Sequence, residues 1–320
     1  MRGLFIAACA LALTQVSTAH AEDVVRVGNL KLAHFGAISY IQEIAPQCGI
    51  KVDVRLFSKG PEIMQAMVGG DLDVGASASE AAISARANGT PIYVVAGFAR
   101  GGARLMASPE SGIKSVDDLK GKKVGVTRGS IQEVLLAAEL GQHNLTSSEQ
   151  PGKDITLFYL GYPDLNQALQ LKQVDAIMQT EPQSAQALIK GFGVEVMKPY
   201  DTPIGYPVRT MVMSEKFYNE HKETALKFMK CFVTSTKTFM DHPEVARQYV
   251  TETLFKKQVS AEEFDQAIAN SPYSFDITAE HIQTTTDVMG KYGVGKMSKP
   301  PIATEFVKLD LLDQAKKEVK

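Results

Sequence analysis

The chain has 320 residues, with 34 Lys and Arg against 36 Asp and Glu, and 44% of it is hydrophobic. So balanced a charge excludes the basic footprint of a nucleic-acid binder and the polybasic face of a membrane-surface protein. The length suffices for one large core or two domains.

The N-terminus reads as a secretory signal peptide. Met1-Arg2 is the positive start, Leu4 to Leu13 the apolar run, and Ala19-His20-Ala21 the small-residue cleavage site. Residues 1–21 are therefore expected to leave, and the mature chain to begin near Glu22. The apolar run is too short for a spanning helix, which needs about 20 residues. Ile6-Ala7-Ala8-Cys9 resembles a lipid-attachment pattern, but too little apolar chain precedes Cys9 for that use. Of the remaining cysteines, Cys48 and Cys231, a bond is permitted in an oxidising compartment but is not implied by their spacing. Two small buried thiols are the expectation. No Cys/His cluster suggests a metal.

From residue 24 to about 213, strand-like and helix-like runs alternate, the pattern of an α/β sheet with helical crossovers. Val24–Val27 opens as a strand, Ala37–Gln47 carries isoleucines at helical spacing, and Val52–Val54 is a second strand. Pro61 to Val68 is a helix stopped by Gly69-Gly70, Leu72–Val74 a strand, and Ser79 the cap of an Ala-rich helix. Ile92–Ala96 is a strong strand. The pattern restarts after Gly101-Gly102 with strands at Lys123–Val126, Ile155–Tyr159 and Val174–Met178. Past residue 213 the chain turns helical, with a capping box at Ser260 to Glu263.

One segment repeats. Pro61-Glu62-Ile63-Met64-Gln65-Ala66-Met67 matches Pro163-Asp164-Leu165-Asn166-Gln167-Ala168-Leu169, and Leu72-Asp73 falls on Val174-Asp175 without a gap. This spacing predicts a duplicated lobe. Ser77-Ala78-Ser79 and Gln179-Thr180-Glu181 then occupy equivalent strand ends, where open α/β sheets bind ligands.

Three runs carry a family resemblance: Ser115 to Val126 followed by Arg128-Gly129-Ser130; Ala168-Leu169 through Val174-Asp175-Ala176 to Glu181-Pro182; and Gly60 to Gly75. With these the chain resembles ABC-transporter solute-binding proteins of the nitrate, sulfonate and taurine group. The resemblance implies a two-lobed type II periplasmic binding protein fold with two crossovers and a helical C-terminal tail. Lobe 1 would hold residues 22–102 and 211–320, and lobe 2 residues 103–210. Arg100 to Arg104 and Tyr206 to Thr210 would be the crossing strands. The implied role is capture of a small, anionic organic ligand of sulfonate or carboxylate type in the periplasm, by a monomer that delivers it to ABC permease subunits. Two departures stand out. Lys172 replaces the family's glycine, and Thr180 stands where several relatives have Trp, so an aromatic cage is not expected.

The candidate ligand-binding residues follow from position. Thr127, Arg128, Gly129 and Ser130 open a helix after a strand, offering amide groups, a hydroxyl and a guanidinium to an anion. Ser77, Ala78 and Ser79 offer hydroxyls from the other lobe, with helix capping as the plainer use of Ser79. His34 and Phe35 follow the first strand and can bond or stack on a ligand, or simply pack. Phe98 is an apolar wall or core. Thr180 lies in the second strand-end segment. Glu181 can accept from an amino group or serve as a helix-start charge, and Arg209 is either a ligand anchor or a hinge group. No catalytic motif, cofactor or metal set is found, so no enzyme is expected. The alternatives are a sensing module that feeds a receptor and, less favoured, a small-molecule enzyme on the same fold.

Overall fold

Buried β-branched runs alternate with amphipathic ones along this chain, and the central strands bury both faces against helices. The computed structural model, which describes residues 24–295 and 297–319, folds these runs into two sheets. The expected signal peptide and cleavage point lie outside the described residues. Eleven strands are described: β1 (Val24–Leu30), β2 (Lys51–Phe57), β3 (Val74–Ala78), β4 (Ile92–Arg100), β5 (Ala103–Ala107), β6 (Lys123–Val126), β7 (Ser147–Ser148), β8 (Ile155–Tyr159), β9 (Ala176–Thr180), β10 (Val194–Met197) and β11 (Val208–Ser214). The first sheet has the order β2-β1-β3-β11-β4 and the second β10-β5-β9-β6-β8-β7.

The two sheets share one plan. In each, the first strand of the half (β1, β6) pairs in parallel with the next (β2, β8) and with the third (β3, β9). An antiparallel strand then joins the third, β11 in the first sheet and β5 in the second. The repeated helices are Gly60–Val68 and Tyr162–Gln170, and β3 and β9 keep the same offset. The repeated aspartates explain part of this plan. Asp73 accepts from the Arg26 amide at 2.9 Å, and its counterpart Asp175 accepts from the Lys123 amide at 2.8 Å. Each carboxylate thereby holds the neighbouring parallel strand just before the point where the two begin to pair. Each helix also lies close on a strand glycine. A Cβ at Gly28 would meet Ile63 at 2.8 Å, and one at Gly125 would meet Leu165 at 3.0 Å. Burying a side chain such as Ile63 contributes about 1.5–3 kcal/mol.

Strands β3 and β9 each begin two residues later than the sequence predicts and extend through the small residues beyond. Ser77 and Ala78 are central in a sheet, where burial on both faces and close neighbours suit small side chains. The turn before each strand is left-handed, at Gly70 with φ 77° and at its equivalent Lys172 with φ 56°. A non-glycine residue there is strained by about 1–2 kcal/mol, so the lost glycine has a backbone consequence.

The chain passes from the first sheet to the second through Gly101-Gly102, both with positive φ. A Cβ at Gly101 would lie 2.4 Å from the Asn270 carbonyl oxygen. The return passes between β10 and β11. Because β11 pairs with β3 and β4 along its whole length, Arg209 and Thr210 belong to the first sheet, and the boundary expected at residue 210 falls inside this strand. The helical tail then covers the first sheet, including Lys222–Asp241, which packs on Gly36–Ile44.

A disulfide joins Cys48 to Cys231, with Cα atoms 5.7 Å apart, where free thiols were expected. It staples the turn after the Gly36–Ile44 helix to the Lys222–Asp241 helix. Two residues 183 positions apart can be bridged because tertiary packing brings these helices together, which sequence spacing does not reveal. Among the described residues no helix is long and apolar enough to cross a membrane.

Candidate functional site

The carboxyl ends of β1, β3, β6 and β9 carry the loops that meet between the sheets. From the first sheet, Ala33–Phe35 forms a single helical turn after β1, and the Ser79–Ala87 helix follows β3 directly. His34 is fully buried, its ring edge-on to Phe35 at 4.9 Å; Phe35 in turn meets Phe98 edge-on at 4.8 Å. These two phenylalanines make an apolar wall continuous with the core. Arg209, on β11, sits opposite Ala78 in register and is 2% exposed.

From the second sheet come Thr127, Ser130 and Gln132 after β6, Tyr162 after β8, and Thr180 at the end of β9. The banks converge on one atom. The carbonyl oxygen of Gly102 accepts from Arg209 Nη2 at 3.3 Å, from Thr180 Oγ1 at 3.2 Å and from Gln132 Nε2 at 3.3 Å. Arg209 Nη2 also donates to the Gly101 carbonyl. The Tyr162 hydroxyl donates to Gln132 Oε1 at 2.7 Å, extending the network along the second bank.

The electrostatics centre on Arg209. Burial lowers its pKa, while Glu80, Tyr162 and Tyr200 act to raise it. Glu80, in the first turn of the Ser79–Ala87 helix, is 4% exposed and its carboxyl is pushed up to about 7. Burial is the largest cause; the Arg209 charge and the amides of Glu80, Ile131 and Ala81 oppose it. His34 is held well below its ordinary range, first by burial and then by Arg209, so it is a neutral imidazole at pH 7.

Several polar atoms on these loops are buried without a hydrogen-bond partner: both ring nitrogens of His34, Ser79 Oγ, Glu80 Oε2, Thr127 Oγ1 and Arg209 Nε. An unsatisfied buried group costs about 1–3 kcal/mol, so atoms of this kind call for a polar partner beyond the side chains around them. The first bank supplies acceptors, a hydroxyl and one fixed cation, Arg209, and the second bank supplies the Thr127 hydroxyl.

The other expected residues have local partners. Ser77 donates to the Ala78 carbonyl at 3.0 Å. Ser79 does not cap its helix; Ala78 holds the cap position and makes no side-chain bond, because the serine already lies inside the first turn. Ser130 is the N-cap of the Ile131–Gln142 helix, accepting from the Glu133 amide at 3.3 Å. Gly129, with φ 69°, gives its amide to Glu133 Oε2 at 2.5 Å, so the helix's own acid takes the group expected to meet an anion. Arg128 departs furthest from expectation. Its side chain is 57% exposed, ion-paired to Glu149 and stacked 3.6 Å from the Tyr159 ring centre. An aromatic face and a carboxylate outside the gap outcompete the interior for this guanidinium. Glu181 is fully buried, but its oxygens accept from Arg104 Nε at 2.7 Å, Asn270 Nδ2 at 2.8 Å and the Ala185 amide at 3.1 Å, which leaves little for a ligand amine.

Glu80, Gln132 and Tyr162 went unnoticed in the sequence. For Glu80 a signal existed: it opens Ser79-Glu80-Ala81-Ala82-Ile83, a helix start with small or apolar residues on every face. An acid in a helix buried all round is in the interior.

A family model described as NMT1/THI5 like matches residues 47–246. A provisionally named ABC transporter periplasmic binding protein of Brachyspira hyodysenteriae is 22% identical over 214 residues, 62% of this chain and 60% of that relative. The chain thus spans less than two thirds of this relative's length. Among solved structures, the ligand-binding component of an ABC-type import system from Staphylococcus aureus superposes with a TM-score of 0.77 at 19% identity, covering 92% of this chain and 99% of that one. The alkanesulfonate-binding protein from Xanthomonas axonopodis pv. citri, bound to MOPS, gives 0.75 at 18% identity, covering 90% and 99%. At these identities the structural likeness establishes the periplasmic binding protein fold. With a match over more than half its length, the chain belongs to the NMT1/THI5-like family.

Proposed function

We propose that this protein is the solute-binding component of an ABC importer, working in the periplasm as a monomer and holding a small organic anion of sulfonate or carboxylate type between two lobes. The lobes are the two sheets with their helices, and the ligand contacts are His34, Ser79, Thr127 and Arg209, with Phe35 and Phe98 as the apolar wall. The observation that carries this reading is the set of partnerless buried polar atoms around Arg209. A buried guanidinium that keeps one N–H unpartnered is suited to a sulfonate or carboxylate oxygen. On the same fold, the S. aureus protein supports import and the Xanthomonas alkanesulfonate-binding protein supports an anionic ligand. A disulfide fits an oxidising compartment outside the cytoplasm. The same kinship supports delivery to membrane permease subunits.

The test is a thermal-shift screen of alkanesulfonates, carboxylates, amino acids, neutral sugars and cationic amines. An anion at about 100 times its dissociation constant stabilises the protein by roughly 2.7 kcal/mol, read as a rise in Tm. Stabilisation by neutral or cationic compounds alone contradicts the reading.

A further inference from the structure

The proposed anion site contains an acid as well as a cation. Glu80 is almost fully buried, one of its oxygens has no partner, and it interacts electrostatically with Arg209 on the same bank. The titratable groups around this pair are Tyr162 from the second bank, which interacts with both Glu80 and Arg209, and His34 and Tyr200, which interact with Arg209. His34 is neutral, and both tyrosines are held above their ordinary range, chiefly by burial. The fixed charges are therefore one guanidinium and one carboxylate. When both are ionised the site is already neutral. A sulfonate, which stays ionised at any pH near neutrality, would bring a second negative charge among buried groups with a single cation, and such an excess is expensive in a low dielectric.

Given the anion reading above, on which this rests, we propose that Glu80 is a ligand-contacting residue that takes up one proton as the anion binds. The protonated Oε2 then donates to a ligand oxygen, while Arg209 keeps one net negative charge opposite it. The proton comes from solvent and is returned on release, so the overall step is anion plus H⁺ in, anion plus H⁺ out. Burial has already brought the Glu80 carboxyl to about 7, so little is needed to complete the protonation. Glu80 would also set specificity. A strong-acid monoanion binds with a proton, whereas a ligand carrying an ammonium group beside its acid would instead keep Glu80 ionised.

The experiment is titration calorimetry of the full mature chain with ethanesulfonate and propionate, and with their amino counterparts 2-aminoethanesulfonate and β-alanine. Titrations run from pH 5.5 to 9 in buffers of differing ionisation enthalpy. For a monoanion, the expected result is uptake of close to one proton at pH 8, with affinity falling about tenfold per pH unit above pH 7. In Glu80→Gln, whose amide N–H imitates the protonated acid, uptake disappears and the affinity no longer varies with pH. At pH 9 the variant binds about a hundredfold tighter than the wild type. Wild-type binding without proton uptake and without pH dependence overturns the proposal and leaves the anion reading standing. Wild-type binding of the amino compounds alone, lost in Glu80→Gln, overturns it in favour of an ionised Glu80. No binding by any of the four removes the anion reading and this proposal together.

Discussion

The two sheets are built alike but furnished differently. Both order their strands in the same way, anchor a parallel neighbour with an aspartate at equivalent positions, and seat a helix on a strand glycine. Yet the first bank supplies the buried charges and the imidazole, Glu80, Arg209 and His34, while the second supplies hydroxyls and amides from Thr127, Gln132, Tyr162 and Thr180. The charged residues expected on the second bank are engaged elsewhere, Arg128 at the surface and Glu181 with Arg104 and Asn270. A duplicated framework thus fixes where the strand ends and helix starts meet without fixing which side chains each half contributes there. The first half is also the one that carries the disulfide.

This asymmetry can be broken or sharpened by substitution. Arg209→Met removes the one cation of the first bank and should weaken anion binding by at least about a hundredfold, roughly 3 kcal/mol or more, in titration calorimetry. A urea midpoint close to wild type would show that the crossing survives without it. The disulfide closes a long loop, so Cys48→Ser with Cys231→Ser should lower unfolding free energy by about 2–5 kcal/mol in urea melts. That variant should leave ligand affinity nearly unchanged.

Glu80 makes a pH-dependent contribution that needs no ligand. Its folded-state pKa is raised, to about 7, above the ordinary carboxyl value, so the native state binds the proton more tightly than the unfolded chain. Stability from this group is therefore full below about pH 4.5 and is lost as pH rises towards 7. Glu80→Gln should stabilise the protein at pH 8 by up to about 3 kcal/mol, and the difference should vanish at pH 4. Equal stability curves across that window would place Glu80 in a better-solvated setting.

The smaller effects compare equivalent positions directly. Lys172 holds the left-handed turn that Gly70 holds in the first half, so Lys172→Gly should raise stability by about 0.5–1 kcal/mol. Thr127→Val should reduce affinity by about 1 kcal/mol, near fivefold, if its unpartnered hydroxyl meets the ligand. Arg128→Ala, by contrast, should change affinity less than about twofold, because an exposed pair and a surface stack contribute little.

Much of the framework was legible because it rests on local chemistry. Lys123–Val126 and Ile155–Tyr159 form the strands their apolar runs predict, and the Ser260 box caps its helix as written. The repeat was legible because Asp73 and Asp175 do the same work at the same spacing. The candidate site was legible in its framework but not in which side chains face it. Strand ends and helix starts could be located, but whether Arg128 faces inward depends on Glu149 and Tyr159, which only the fold brings beside it. Arg209 stood undecided for the same reason, since its place in β11 is set by pairing with β3 and β4 across long stretches of chain. The disulfide and the burial of Glu80 were likewise consequences of packing between distant helices and strands.

The most direct measurement is a crystal structure of the mature chain with the compound that gives the largest thermal shift. The account predicts ligand density between the sheets, with an acidic oxygen within hydrogen-bond distance of Arg209 Nε and the ligand touching both His34 and Thr127. Density lodged instead in the outer cavity of about 520 Å³ beside Lys31, Lys190 and Phe255, with Arg209 untouched, would contradict it.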